Sequence, residues 1–130
     1  FNWLQGGPVA LYGDEATLSR LRQMFAYAFV ADPAYPSARP EVQPVRLDGP
    51  VELFGRRIIP IPLRHGPLRV LGFRVGDIAY CTDCNGIPDE SRPLLEGLDV
   101  LVLDAGNDDL PEVLSIMSLP YKEVSDIASD

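Results

Sequence analysis

Apolar positions along this chain follow two periods, and the switches between them mark the elements. Pro8 to Tyr12 is a short apolar run between the turn residues Gly6-Gly7 and Gly13, which predicts a buried strand. Asp14 then offers an N-cap and Glu15 suits a first helical turn. Leu18, Leu21, Phe25 and Ala28 recur at helical spacing, so Glu15 to about Phe29 reads as an amphipathic helix. Asp32 to Pro40 holds three prolines and reads as an extended loop.

A strand-rich block follows. Glu41 to Leu47 alternates weakly, and Val51 to Phe54 leads into a turn at Gly55. Arg57 to Leu63 alternates around Ile58, Ile59 and Ile61, but Pro60 and Pro62 remove ladder donors, which predicts an edge or bulged strand. Leu68 to Val75 alternates cleanly, Gly76-Asp77 is a hairpin turn, and Ile78 to Cys81 begins the partner strand. Pro88-Asp89-Glu90 opens a short helix that Gly97 closes. Leu98 to Leu103 is a buried strand ending at Asp104, and Leu110, Val113, Leu114 and Met117 return to helical spacing. Strand, helix, antiparallel strands, helix, strand, helix is the order of an α/β fold with a mixed sheet and flanking helices.

Composition narrows the functional classes. The 130 residues amount to one domain or part of a larger one, and 46% hydrophobic residues suffice for a core. No stretch approaches the ~20 apolar residues of a membrane span, so no membrane partner is expected. A net charge of −8 argues against nucleic acid, whose capture needs clustered Lys and Arg. No export signal is visible, and two cysteines make no disulfide framework, so a cytoplasmic location is expected.

The charge is uneven. Residues 1–105 carry ten Arg, no Lys and 13 acids, whereas residues 106–130 carry one Lys and six acids. We therefore divide the chain into a domain over 1–105 and an acidic helical tail over 106–130. The tail is either a solvated helix or a segment of different origin. Phe1 and Trp3 stand at the start without an initiator Met, so the sequence is expected to begin inside a longer fold.

Few residues here can do chemistry. His65, the only histidine, lies in Arg64-His65-Gly66-Pro67 just past a strand, where loops present functional groups. Asp83 follows Tyr80-Cys81-Thr82 where an apolar strand runs out, an edge at which α/β folds place ligands. Its alternative role is to cap its own turn, because Asp83 to Gly86 is also good turn chemistry. If the strand ran on through Asp83, Cys81 and Asp83 would share a face. Cys81 and Cys84 form a C-x-x-C, open to three readings: zinc with His65, a redox pair, or a core side chain beside an incidental thiol. Arg56, Arg57, Arg64, Arg69 and Arg74 are either strand-face charges or partners of an anionic substrate. Asp108 and Asp109 suit a helix N-terminus, and no catalytic residue is assigned.

Ile61-Pro62-Leu63-Arg64-His65-Gly66, then Leu71-Gly72-Phe73-Arg74-Val75-Gly76, then Ala79-Tyr80-Cys81-Thr82-Asp83 and Leu98 to Ala105 together resemble one family. It is the metallo-β-lactamase-fold metal-dependent hydrolases, in the branch related to the phosphoribosyl cyclic phosphate phosphodiesterase. The resemblance covers about Phe1 to Ala105. It implies a partial αβ/βα sandwich and, in the complete family, phosphodiester hydrolysis of a small phosphorylated substrate by water activated on two divalent cations, Zn or Mn. It also implies that His65 matches a metal-binding histidine and Asp83 the carboxylate that bridges both metals.

The family's first motif, His-x-His-x-Asp-His, would lie before Phe1, and no histidine follows Ala105 where the last ligand is expected. Two ligands do not hold a pair of ions tightly. The resemblance therefore implies an incomplete or inactive form of the hydrolase domain, which is not expected to hold two metals tightly by itself. The alternative is a non-catalytic module that pairs as a homodimer through the sheet face left exposed by the missing half. A redox thiol protein is the minor reading.

Overall fold

The computed structural model describes residues 6–30 and 40–103. The division expected at residue 106 and the helical spacing from Leu110 lie outside them. The chain divides into two compact units, residues 1–48 and 49–130.

In the first unit, strand β1 (Val9–Gly13) runs parallel to β2 (Val42–Arg46), with Val9 opposite Val42 and Gly13 opposite Arg46. Parallel neighbours need a crossover, and here it contains helix α1 (Glu15–Met24) and the single turn α2 (Ala26–Phe29). Asp14 caps α1 by accepting from the Thr17 backbone N–H at 2.7 Å. The predicted helix from Glu15 to about Phe29 is thus two pieces. Phe25 leaves helical geometry (φ −126°, ψ 42°), although its N–H still donates to the Leu21 carbonyl. Leu18 is the buried anchor of α1, and its side chain lies against Gly13.

The second unit is one sheet in the order β3 (Val51–Leu53), β4 (Arg56–His65), β5 (Leu68–Val75), β6 (Ile78–Cys81), β7 (Val100–Leu103). The first three junctions are antiparallel, while β6 and β7 are parallel, joined by a connection that holds the 3₁₀ helix Asp89–Leu95. Gly66 (φ 57°) and Gly76 (φ 60°) supply the left-handed backbone of the two tight turns at either end of β5.

The prolines of β4 make it an inner strand with an edge's character. β3 covers only Arg56 to Ile58, so beyond Ile58 one side of β4 has no neighbouring strand among the described residues. Pro60 and Pro62 fall there. Backbone groups two residues apart point to the same side of a strand. Arg64 turns its N–H to the Gly86 carbonyl (2.9 Å) and its C=O to the Asn85 N–H (2.8 Å), away from β5. Pro62 shares that direction, and its carbonyl accepts the buried Ser91 hydroxyl at 2.5 Å. The missing donors thus cost the β4–β5 ladder nothing.

One face of the sheet carries the core: Ile61, Leu63, Ala79, Cys81 and Leu101, covered by Cys84, Ile87 and Leu95. The opposite face is apolar too. The register aligns Val75, Ile78 and Val100 in one row and Phe73, Tyr80 and Val102 in the next. Ile78 and Tyr80 remain about half exposed (52% and 54%), and Val75 and Val100 are also exposed.

Candidate functional site

His65 is the last residue of β4, opposite Leu68 across the Gly66-Pro67 turn. Asp83 lies two residues past the end of β6. The backbone draws these strand ends together. The segment after β6 returns along β4 through the Arg64 bonds to Asn85 and Gly86. Asn85 adds a side-chain bond, its Oδ1 accepting the Gly66 N–H at 2.9 Å. His65 therefore sits between two residues that the Asp83-to-Gly86 turn holds directly. Both His65 and Asp83 are exposed, and among the described residues neither side chain bonds to another group.

Asp83 has φ 51°, left-handed geometry uncommon for a residue with a Cβ. The strand does not run on through it, so Asp83 and Cys81 do not share a face: Asp83 is exposed while Cys81 is fully buried. Nor does Asp83 cap its own turn. The side chain that ties this turn down is that of Asn85, which sequence reasoning passed over. The Asn-Gly step was its only signal.

The cysteines are core groups. Both are free and buried, and the Cys84 thiol points at the Cys81 carbonyl, 3.7 Å away. Burial, and secondarily the neighbouring Cys84, push the Cys81 thiol from 9.0 up to about 12. A thiol so resistant to ionisation is a poor redox nucleophile at neutral pH. Both thiols pack in the core and no third donor converges on them among the described residues, so the pair reads as core side chains rather than a zinc or redox site, and Cys84 is not an incidental thiol.

Among the described residues no three His, Cys, Asp or Glu side chains converge as a metal ion would require. A catalytic zinc takes three protein ligands. The described donors thus do not fit a complete ion centre, let alone two.

The arginines divide into different roles. Arg74 is structural: its Nε donates to the Gly76 carbonyl (2.8 Å), and one terminal nitrogen donates to the Leu94 (2.8 Å) and Glu96 (2.7 Å) carbonyls. It closes the end of the 3₁₀ helix, where carbonyls would otherwise lack donors. Arg64 and Arg69 stand directly opposite each other on β4 and β5. They line a groove of about 390 Å³ with Pro67, Pro88 and Glu90.

Comparison with known proteins gives this geometry a context. The family model "Beta-lactamase superfamily domain" matches residues 3–128. A crystal structure described as a new diphosphatase from the PhnP family superposes with a TM-score of 0.73 at 33% sequence identity, over 92% of this chain and 47% of that one. The octanoyltransferase of Porphyromonas gingivalis is 25% identical over 96 residues, 74% of this chain and 20% of that protein. The chain thus spans less than half the length of either relative.

Proposed function

The chain belongs to the β-lactamase superfamily domain family, with the α/β fold of a partial metallo-β-lactamase domain, and on that premise we propose that it is the metal-poor part of a phosphodiester- or diphosphate-hydrolysing domain, inactive by itself. The family is hydrolase-type and generally dependent on divalent metal. His65 and Asp83 are the two positions this chain contributes to an ion-binding edge. The observation that carries the reading is their arrangement: two exposed, unengaged donors at the ends of β4 and β6, on the same sheet edge and tied through Asn85 and Gly86, with no third donor converging among the described residues. In the complete protein the substrate is a small phosphorylated molecule. We place the chain in the cytoplasm on the strength of its two free thiols.

The test is metal analysis of the purified chain after loading with zinc or manganese and dialysis, alongside hydrolysis of bis(p-nitrophenyl) phosphate. Metal well below one equivalent and no saturable turnover are the expected results. About two bound equivalents, with turnover lost in His65→Ala and Asp83→Asn, would overturn the inactive reading.

A second reading has its own observation. The exposed row Val75-Ile78-Val100 and exposed Tyr80, flanked by half-buried Phe73 and Val102, form the kind of contiguous apolar face that monomers avoid. In this reading two copies pair through that face, and the chain is a non-catalytic, self-associating module.

A further inference from the structure

Arg64 and Arg69 face each other across the β4–β5 hairpin, where like charges destabilise a strand pair. Their compensation is incomplete. Glu90 reaches Arg69 at 3.5 Å, but both side chains are 65% exposed, so the pair is weak. Arg64 uses its backbone on Asn85 and Gly86, and among the described residues its guanidinium has no acidic partner. Two guanidiniums and one carboxylate leave the groove net positive in a chain of net charge −8. Its volume, about 390 Å³, lies within the range of small-ligand sites.

We propose that this groove binds the phosphoryl group of a small molecule, held between the Arg64 and Arg69 guanidiniums. A doubly charged tetrahedral oxyanion has enough acceptor oxygens for two planar forks at once. It also removes the repulsion that the cross-strand pair otherwise carries. Glu90 competes for Arg69 and keeps the affinity low. Neither His65 nor Asp83 lines the groove. It therefore does not depend on the chain binding metal.

The experiment is an NMR titration of the whole chain with inorganic phosphate, in EDTA and against chloride at matched ionic strength. Saturable amide shifts confined to Arg64, Gly66 and Arg69 are expected, and the Arg64→Gln/Arg69→Gln variant should lose them. Glu90→Gln, an exposed change far from the core, should tighten phosphate by about two- to fivefold. Shifts that grow linearly, match those with chloride, or persist in the double variant overturn the proposal. Should the double variant fail to fold, the Glu90→Gln arm still decides: unchanged affinity refutes the site.

Discussion

Gly72 on β5 faces Cys81 on β6 so closely that a Cβ on Gly72 would stand 2.9 Å from the Cys81 Sγ. The same Cβ would meet Leu63 Cδ1 and the Tyr80 carbonyl oxygen, each also at 2.9 Å. The thiol therefore fills the volume that any other residue at 72 would need. Gly72→Ala should destabilise the chain by about 1–3 kcal/mol, the usual cost of overpacking a core. Adding Cys81→Ala should recover only part of that loss, because the Tyr80 carbonyl is backbone and cannot rotate away. Urea unfolding of both variants measures this, and full recovery would show that the thiol alone sets the fit.

Alkaline pH should unfold the chain through Cys81. Its thiol ionises near 9.0 when free and near 12 in the fold. The raised value means that the native state holds its proton where the unfolded state has lost it. The thiol's contribution is complete below pH 9 and is lost as pH rises from there towards 12. The expected slope is of order 1 kcal/mol per pH unit in that window. Unfolding midpoints in urea from pH 8 to 10.5 check it, and Cys81→Ala should flatten the decline.

Arg74→Ala should cost about 2 kcal/mol, since three carbonyls lose a charged donor on a largely buried side chain. Arg74→Lys should recover less than half, because one ammonium cannot reach carbonyls on both sides as a guanidinium fork does. Thermal melts separate the two outcomes. Equal stability of Lys and Arg would mean that charge alone matters there.

Tyr80→Arg or Ile78→Glu should abolish any dimer without unfolding the sheet, because both side chains project from the exposed face. Light scattering across a concentration series reads the mass directly. A wild-type chain that stays monomeric at high concentration would end the self-association reading.

Much of this fold is legible in the sequence where side-chain period and backbone demand agree. Leu68–Val75 is one such strand, and the Gly76 turn another such feature. The helix beginning at Glu15 was legible at its start, because Asp14 caps it locally, but not at its break. Phe25 has an apolar side chain at the right spacing, and only its backbone reveals the interruption. The prolines of β4 announced an edge. Sequence alone does not show that the edge lies within an inner strand, because that depends on how short β3 is. At the candidate site, His65 and Asp83 stood out by residue type. What draws them together did not, since Asn85 and Gly86 act through backbone geometry and one amide oxygen.

The covering of β4 beyond Ile58 has a consequence for how this protein behaves at high concentration. An open strand flank is a template on which further chains can stack into fibrils. Here Pro60 and Pro62 offer no donors, Ser91 occupies the Pro62 carbonyl, and Asn85 and Gly86 occupy both backbone groups of Arg64. Ordered aggregation by strand addition is blocked along that margin, so any amyloid-like growth of this sheet has to nucleate elsewhere.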